Sequence, residues 1–246
     1  MMTTSSQAIA SGELPRWTLS SLMATADGTG PTLNLADVAA GICVSGSVQA
    51  LGLAMPAGQQ PVDLWARGPD LTAVYEPSDD RRLRVTAMWR LGDAGSEHGI
   101  RSSELVLSAQ TSLLSSDAEL TVLATASGAS ALAAGEWTAE GLAWQSAPSD
   151  TTRCLRLTLA GAAQAAACLL LAIHPDDAGV IEVDRDSAGT CRIRCRLFPS
   201  NVEKGVLLRS RVLMAVGPND TASGGTESWT AELLQAFAGS EPILAT

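Results

Sequence analysis

From about residue 62 to residue 217, apolar and polar side chains alternate with a period of two, the spacing of strands that bury one face. "LTAVYEP" (71–77) and "RLRVTAMWRL" (82–91) flank Ser78-Asp79-Asp80-Arg81, which predicts a hairpin with a short loop. In its second strand Leu83, Val85, Ala87 and Trp89 share one side; Arg82, Arg84, Thr86, Met88 and Arg90 share the other. "ELVLSAQTSLL" and "AELTVLATAS" follow as strands divided at Ser115-Ser116-Asp117, and then "TRCLRLTLAG". "AACLLLAIHPDDAGVIEVDRDSAGTCRIRCRLF" reads as three strands in series, with turns at 175–179 and 186–189. There Pro presets φ, Asp bonds its own backbone and Gly accepts positive φ. Turns every 8–12 residues or so between short β-rich runs point to a sandwich or barrel.

One helix is predicted, over residues 226–239 in "TESWTAELLQAFAGSEP", where Trp229, Leu233, Ala236 and Phe237 form an apolar stripe. Residues 17–56 read as mixed structure packed against the main body. Residues 1–16 carry no early cation and no apolar run, so they read as a disordered tail rather than a secretory signal. The expected fold is mainly β: a single domain over 17–246, a large antiparallel two-sheet β-sandwich with a short C-terminal α-helix.

Composition sharpens this picture. The 246 residues are 46% hydrophobic and 17% charged, with a net charge of −10, the balance of a globular and acidic chain. That charge argues against nucleic acid, which demands a cationic surface. Residues 159–173 are the strongest apolar run, but they are too short for a spanning helix and carry Gln164 in their middle, so a buried strand or hairpin is expected and no membrane partner. The expected location is the cytoplasm. Five cysteines, an odd number, do not form a disulfide framework, and Cys191 and Cys195 on one strand lie about 13 Å apart, beyond bridging distance. With two distant histidines there is no zinc spacing, and neither a metal nor a cofactor is expected.

Scarce positive charge collects in "CRIRCRLFPSNVEKGVLLRSRVLMAVGP" (191–218). Arg192, Arg194 and Arg196 alternate along one strand, and Glu182, Asp184 and Asp186 alternate along the strand before it. Folded about the intervening turn, the two rows predict a cross-strand charge zipper with Arg194 and Asp184 near its middle, extended by Arg209 and Arg211 from the next strand. The competing reading is a cationic face that meets a ligand. Six of the nine aromatic residues are Trp, the preferred stacking platform, and Trp137 and Trp144 in "GEWTAEGLAWQS" either share one concave surface or pack in the core. His98, in a polar loop, and His174, before Pro175, are candidate general bases. The carboxylate pairs Asp79-Asp80 and Asp176-Asp177 sit in turns, where Asp serves local bonding. No phosphate-cradling loop, nucleophile elbow or dinucleotide fingerprint occurs.

"NVEKGVLLRSRVLMAV", with Glu203, Lys204, Gly205, Val206, Leu207, Leu208, Arg209 and Arg211, followed by "LLQAFAGSEPILAT", resembles late segments of galactose mutarotase-like β-sandwich proteins. The resemblance covers about a sixth of the chain and implies a large two-sheet sandwich and a carbohydrate ligand. The family's histidine-containing catalytic motifs are not found, so its activity does not carry over. Two functions follow as expectations. The first is a non-catalytic binding or interaction protein for a carbohydrate or a protein partner, with a homo-oligomer allowed. The second is a sugar-active enzyme using carboxylate and histidine acid–base chemistry.

Overall fold

The computed structural model describes residues 15–27, 30–92, 99–160, 166–219 and 225–241, with the side chains of the terminal helix described from Trp229 onward. The tail expected over 1–16 lies, save Pro15 and Arg16, outside the described residues, as does His98. The first strands are β1 (Trp17–Ser20), β2 (Met23–Ala26), β3 (Thr32–Asn34), β4 (Ile42–Ser45) and β5 (Val48–Leu53), with a 3₁₀ segment, Leu35–Ala40, before β4. Asn34 caps that segment by accepting the Ala36 N–H at 3.0 Å. Then come β6 (Asp63–Arg67), β7 (Asp70–Tyr75), β8 (Leu83–Gly92), β9 (Arg101–Thr111), β10 (Ser115–Asp117) and β11 (Leu120–Ala126). The second half contains β12 (Ala129–Thr138), β13 (Gly141–Gln145), β14 (Cys154–Leu159), β15 (Ala167–Ile173), β16 (Gly179–Arg185) and β17 (Cys191–Leu197). The chain closes with β18 (Asn201–Glu203), β19 (Leu208–Pro218) and α1 (Gly225–Ala238).

Two antiparallel sheets result. The first runs β1-β2-β3-β4-β5-β11-β17-β16 and the second β13-β12-β14-β15-β19-β9-β8-β7-β6, while β10 and β18 form a small ribbon. The alternation sets what lies between them. Leu71, Ala73 and Tyr75 of β7, Val85, Ala87 and Trp89 of β8, and Ile193, Cys195 and Leu197 of β17 belong to one buried cluster fed by both sheets. Two indoles tie the layers together: the Trp89 N–H donates to the Leu51 carbonyl at 2.8 Å, and the Trp17 N–H donates to the Trp89 carbonyl at 3.1 Å. Tryptophan is tolerated so deep because each N–H has found an acceptor.

Two expectations change, and a third, the buried strand before His174, holds. Residues 17–56 do not pack against the sandwich; they build five of the eight strands of its first sheet. Ser115-Ser116-Asp117, expected only to divide two strands, is itself β10, paired with Asn201–Glu203. The apolar run before His174 becomes β15, whose residues from Cys168 to Ile173 are all buried, and 161–165 lie outside the described residues. β15 is buried on both faces because α1 covers the outer one, which is why its pattern is continuous rather than alternating. No helix among the described residues is long and apolar enough to cross a membrane.

Candidate binding site

The arginine ladder stands on the outer face of the first sheet. Asp186 shapes the β16–β17 turn, its carboxylate accepting the N–H groups of Ala188 at 3.0 Å and Thr190 at 2.9 Å. The register that follows sets Glu182 opposite Arg194 and Asp184 opposite Arg192. Ion pairs run from Arg194 to Glu182 at 3.2 Å, from Arg196 to Glu182 at 3.1 Å and to Glu119 at 2.6 Å, and from Arg192 to Asp186 at 3.6 Å. A zipper therefore exists, but its middle pair is Arg194–Glu182 and not Arg194–Asp184. The turn begins earlier than a symmetric fold of the two rows would require, which slides the acidic row by two residues. The Arg196 hydrogen bond, with Arg194 beside it, holds the Glu182 carboxyl below the usual carboxylate range.

Arg209 and Arg211 do not extend this ladder. After β17 the chain crosses through β18 into the second sheet, where β19 lies between β15 and β9. Arg209 donates toward Ser108 there at 3.4 Å. Arg211 is buried at 3% exposure beneath α1, and its guanidinium donates to the Ser240 hydroxyl at 2.9 Å, the Ser240 carbonyl at 3.0 Å and the Glu241 carbonyl at 3.2 Å. It ties down the segment just past the end of α1, where a cation also meets the negative end of the helix dipole.

Trp137 and Trp144 do share a face, the outer face of the second sheet beside α1. The Trp137 indole donates to the Ile173 carbonyl at 3.2 Å, and the Arg156 guanidinium lies 5.0 Å from the centre of the Trp144 ring. Gly135 permits this arrangement, since a Cβ there would sit 3.2 Å from the Trp144 ring and 2.9 Å from Cys154. Both indoles are half-buried and packed against the outer cluster that includes Leu234 and Phe237 of the helix.

A feature the strand pattern did not announce lies at the β16–β17 hairpin tip. An open cleft of about 440 Å³ is lined by Gly128, Ala129 and Ser130, by Ala160, and by residues 185–189. The Ala129 N–H donates to the Gly189 carbonyl at 2.9 Å, and the Arg185 guanidinium donates to the Ala129 carbonyl, so the hairpin tip is pinned to the second sheet. Arg185, Asp186 and Ser187 bring polar groups to the cleft, and the Asp186–Arg192 pair joins it to the end of the ladder. Only two turn clusters, Ser127-Gly128 and Ser187-Ala188-Gly189, mark the site in the sequence, and nothing local says that they meet.

His174 does not reach this cleft. It is buried at 1% exposure under α1, its ring edge-on to Phe237 at 5.2 Å. Asp79 is held by Arg81 at 2.7 Å, and the Asp177 carboxylate accepts the Arg211 backbone N–H at 2.7 Å. Asp79 bonds locally, whereas Asp177 reaches across to β19, over thirty residues further along the chain.

The described residues thus define a two-sheet antiparallel β-sandwich with a docked helix, a charge-paired outer face and a polar cleft. No protein-family model matches the chain, and no curated protein matches it. Among solved structures it is similar to one titled "Putative kojibiose phosphorylase from human microbiome", with 8% identity and a TM-score of 0.47, covering 92% of this chain and 28% of that one. The chain spans less than a third of that protein's length, and no activity is carried across from it.

Proposed function

We propose that the protein is a non-catalytic binding module that takes a hydroxyl-rich ligand, a carbohydrate, in the cleft beside the ladder. The observation that supports this reading is the cleft itself. Its volume of about 440 Å³ falls in the range of small-ligand sites, and its lining comes from three separate chain segments, with polar side chains from two of them. Arg185 has guanidinium N–H groups beyond the one given to Ala129, the Asp186 carboxylate accepts, and the Ser187 hydroxyl does both. Vicinal hydroxyls suit such paired donors and acceptors. Arg192 and Arg194 would meet a longer chain of sugar units, while Trp137 and Trp144 belong to the helix-covered face. Binding is favoured over sugar chemistry because, among the described residues, His174 is enclosed beneath the helix rather than open to the cleft.

A glycan array followed by calorimetry tests this. Wild type should retain a sugar ligand, and Ser187→Trp, which fills the exposed hairpin tip, should weaken it at least about tenfold, or roughly 1.4 kcal/mol, with unchanged circular dichroism. Equal binding by the filled variant, or no glycan retained by wild type, would overturn the proposal. A protein-binding reading rests on a second observation. Leu113, Leu114, Val206 and Leu207 are exposed, Leu114 at 85%, and the Lys204 N–H to Leu114 carbonyl contact of 3.3 Å brings their two loops together. Cross-linking from a residue placed at Leu114 would capture such a partner, and loss of capture in Leu207→Asp would locate it.

A further inference from the structure

Helix α1 is held at its C-terminal end by a buried polar cluster that the proposed ligand site does not use. Arg211 supplies the three donations to Ser240 and Glu241. Glu104 on β9 lies 3.8 Å from the Arg211 guanidinium, and Asp177 accepts both the Arg211 N–H at 2.7 Å and the Ser210 hydroxyl at 3.3 Å. His174 completes the cluster. Its Nδ1 accepts the Asp176 N–H at 3.3 Å, so the ring is neutral with its proton on Nε2, and Nε2 is buried with no close hydrogen bond, only a loose approach to the Ala238 backbone.

Protonating this ring has three geometric costs. Nδ1 must become a donor facing the Asp176 N–H. A charge appears at a site only 1% exposed. It also appears beside the Arg211 cation, which shares the Phe237 ring with it: the guanidinium lies 5.5 Å and the imidazole 5.2 Å from that ring's centre. Once α1 lifts, water reaches the imidazole and these costs vanish. We propose that α1 is an acid-released cover, latched at neutral pH by uncharged His174 and Arg211, whose release uncovers the apolar strip of Leu170, Ala172, Leu213 and Ala215 on the second sheet.

Burial first, and then Arg211, push the His174 pKa below its ordinary 6.5, while Asp177, Asp176 and the Ala238 backbone oppose them. The sign follows from linkage. A base whose docked pKa is depressed loses docking as pH falls below the released value, so opening grows on acidification from about 6.5 downward. The buried carboxylates act oppositely. Burial raises the pKa of both Glu104 and Asp177, so their protonation favours the docked state. Their effect is separated from that of His174 by a variant in which only they titrate.

Hydrogen exchange read by mass spectrometry, corrected for the intrinsic pH dependence of exchange, gives the opening equilibrium of α1 directly. In the full chain, protection at the Leu233–Phe237 amides should fall by nearly tenfold between about pH 7.5 and about pH 5.5, the most that one titrating histidine allows. Protection of β17 should hold. In His174→Gln the helix should keep or gain protection over the same range. Flat wild-type protection, an equal fall in the variant, or loss of β17 together with α1 would each overturn the proposal. Should the variant fail to fold, proton NMR of the wild type decides: the chain has two histidines, and His174 titrating at or above 6.5 would also overturn it.

Discussion

At the scale of the residue, Arg194 and Glu182 exemplify the ladder. Their side chains are 55% and 38% exposed, so solvent screens the attraction and the pair contributes only about 0.3–1 kcal/mol. A double-mutant cycle of Arg194→Glu with Glu182→Arg should recover a coupling of that size near pH 7, and the same cycle with Asp184→Arg should give almost none. The depressed pKa of Glu182 sets the pH dependence. Its contribution is present above the ordinary 4.5 of a glutamate and is lost as pH falls through the lower folded value, so the coupling should shrink on acidification below 4.5. Gly217 makes a different residue-level demand. A Cβ there would sit 2.9 Å from Cζ2 of Trp229, so Gly217→Ala should destabilise the docked helix by about 1–3 kcal/mol, read as faster exchange across α1.

At the scale of the element, α1 is amphipathic, but the face it buries is rotated from the predicted stripe. Thr230, Leu234 and Phe237 are buried, Trp229 and Leu233 flank them half-buried, and Ala236 is exposed. The rotation follows from the Trp229 indole, which donates to the Pro218 carbonyl at 3.2 Å and lies over Gly217, turning the helix about that anchor. Phe237 carries the far end, between His174 and Arg211. Phe237→Ala should cost about 3–5 kcal/mol of docking energy. Exchange protection in α1 should collapse while the strands keep theirs, and unchanged protection in α1 would show that the helix is held elsewhere. The β16–β17 hairpin is the complementary case, since its alternation and the place of its turn are local and legible in the chain, while its register is shifted by two residues from the symmetric pairing.

At the scale of the whole molecule, all five cysteines are free thiols, four of them buried. Burial between the sheets pushes the Cys195 thiol up to about 12, which makes it inert at neutral pH. Thermal unfolding should therefore give the same midpoint with and without reductant, and a thiol reagent should label about one site on the native chain, Cys43. A drop in midpoint on reduction would mean that a disulfide forms in solution. The sandwich is closed by contacts remote in sequence: at one side the Trp17 backbone N–H donates to the Gly68 carbonyl at 3.0 Å, and at the other the Ile181 backbone N–H donates to the Thr152 carbonyl at 2.8 Å. Such topology predicts slow folding, on the order of milliseconds to seconds.

The division between chain and fold can be stated residue by residue. Period-two alternation determined that Leu83, Val85, Ala87 and Trp89 point into a core, and the structure buries all four. The Asp186 turn and the acidic and basic rows likewise determined a charge-paired hairpin, because strand pairing across a short turn is a local matter. Which strands become neighbours was decided only in three dimensions. β11 lies between β5 and β17, and β19 lies between β15 and β9, because each apolar face is satisfied by any partner of matching shape and the pattern names none. That choice took Arg209 and Arg211 away from the ladder, put His174 under a helix more than fifty residues later in the chain, and brought two small turns together into a cleft. Alternation is written in the covalent order of side chains, whereas a site is written in the packing of segments that the chain keeps far apart.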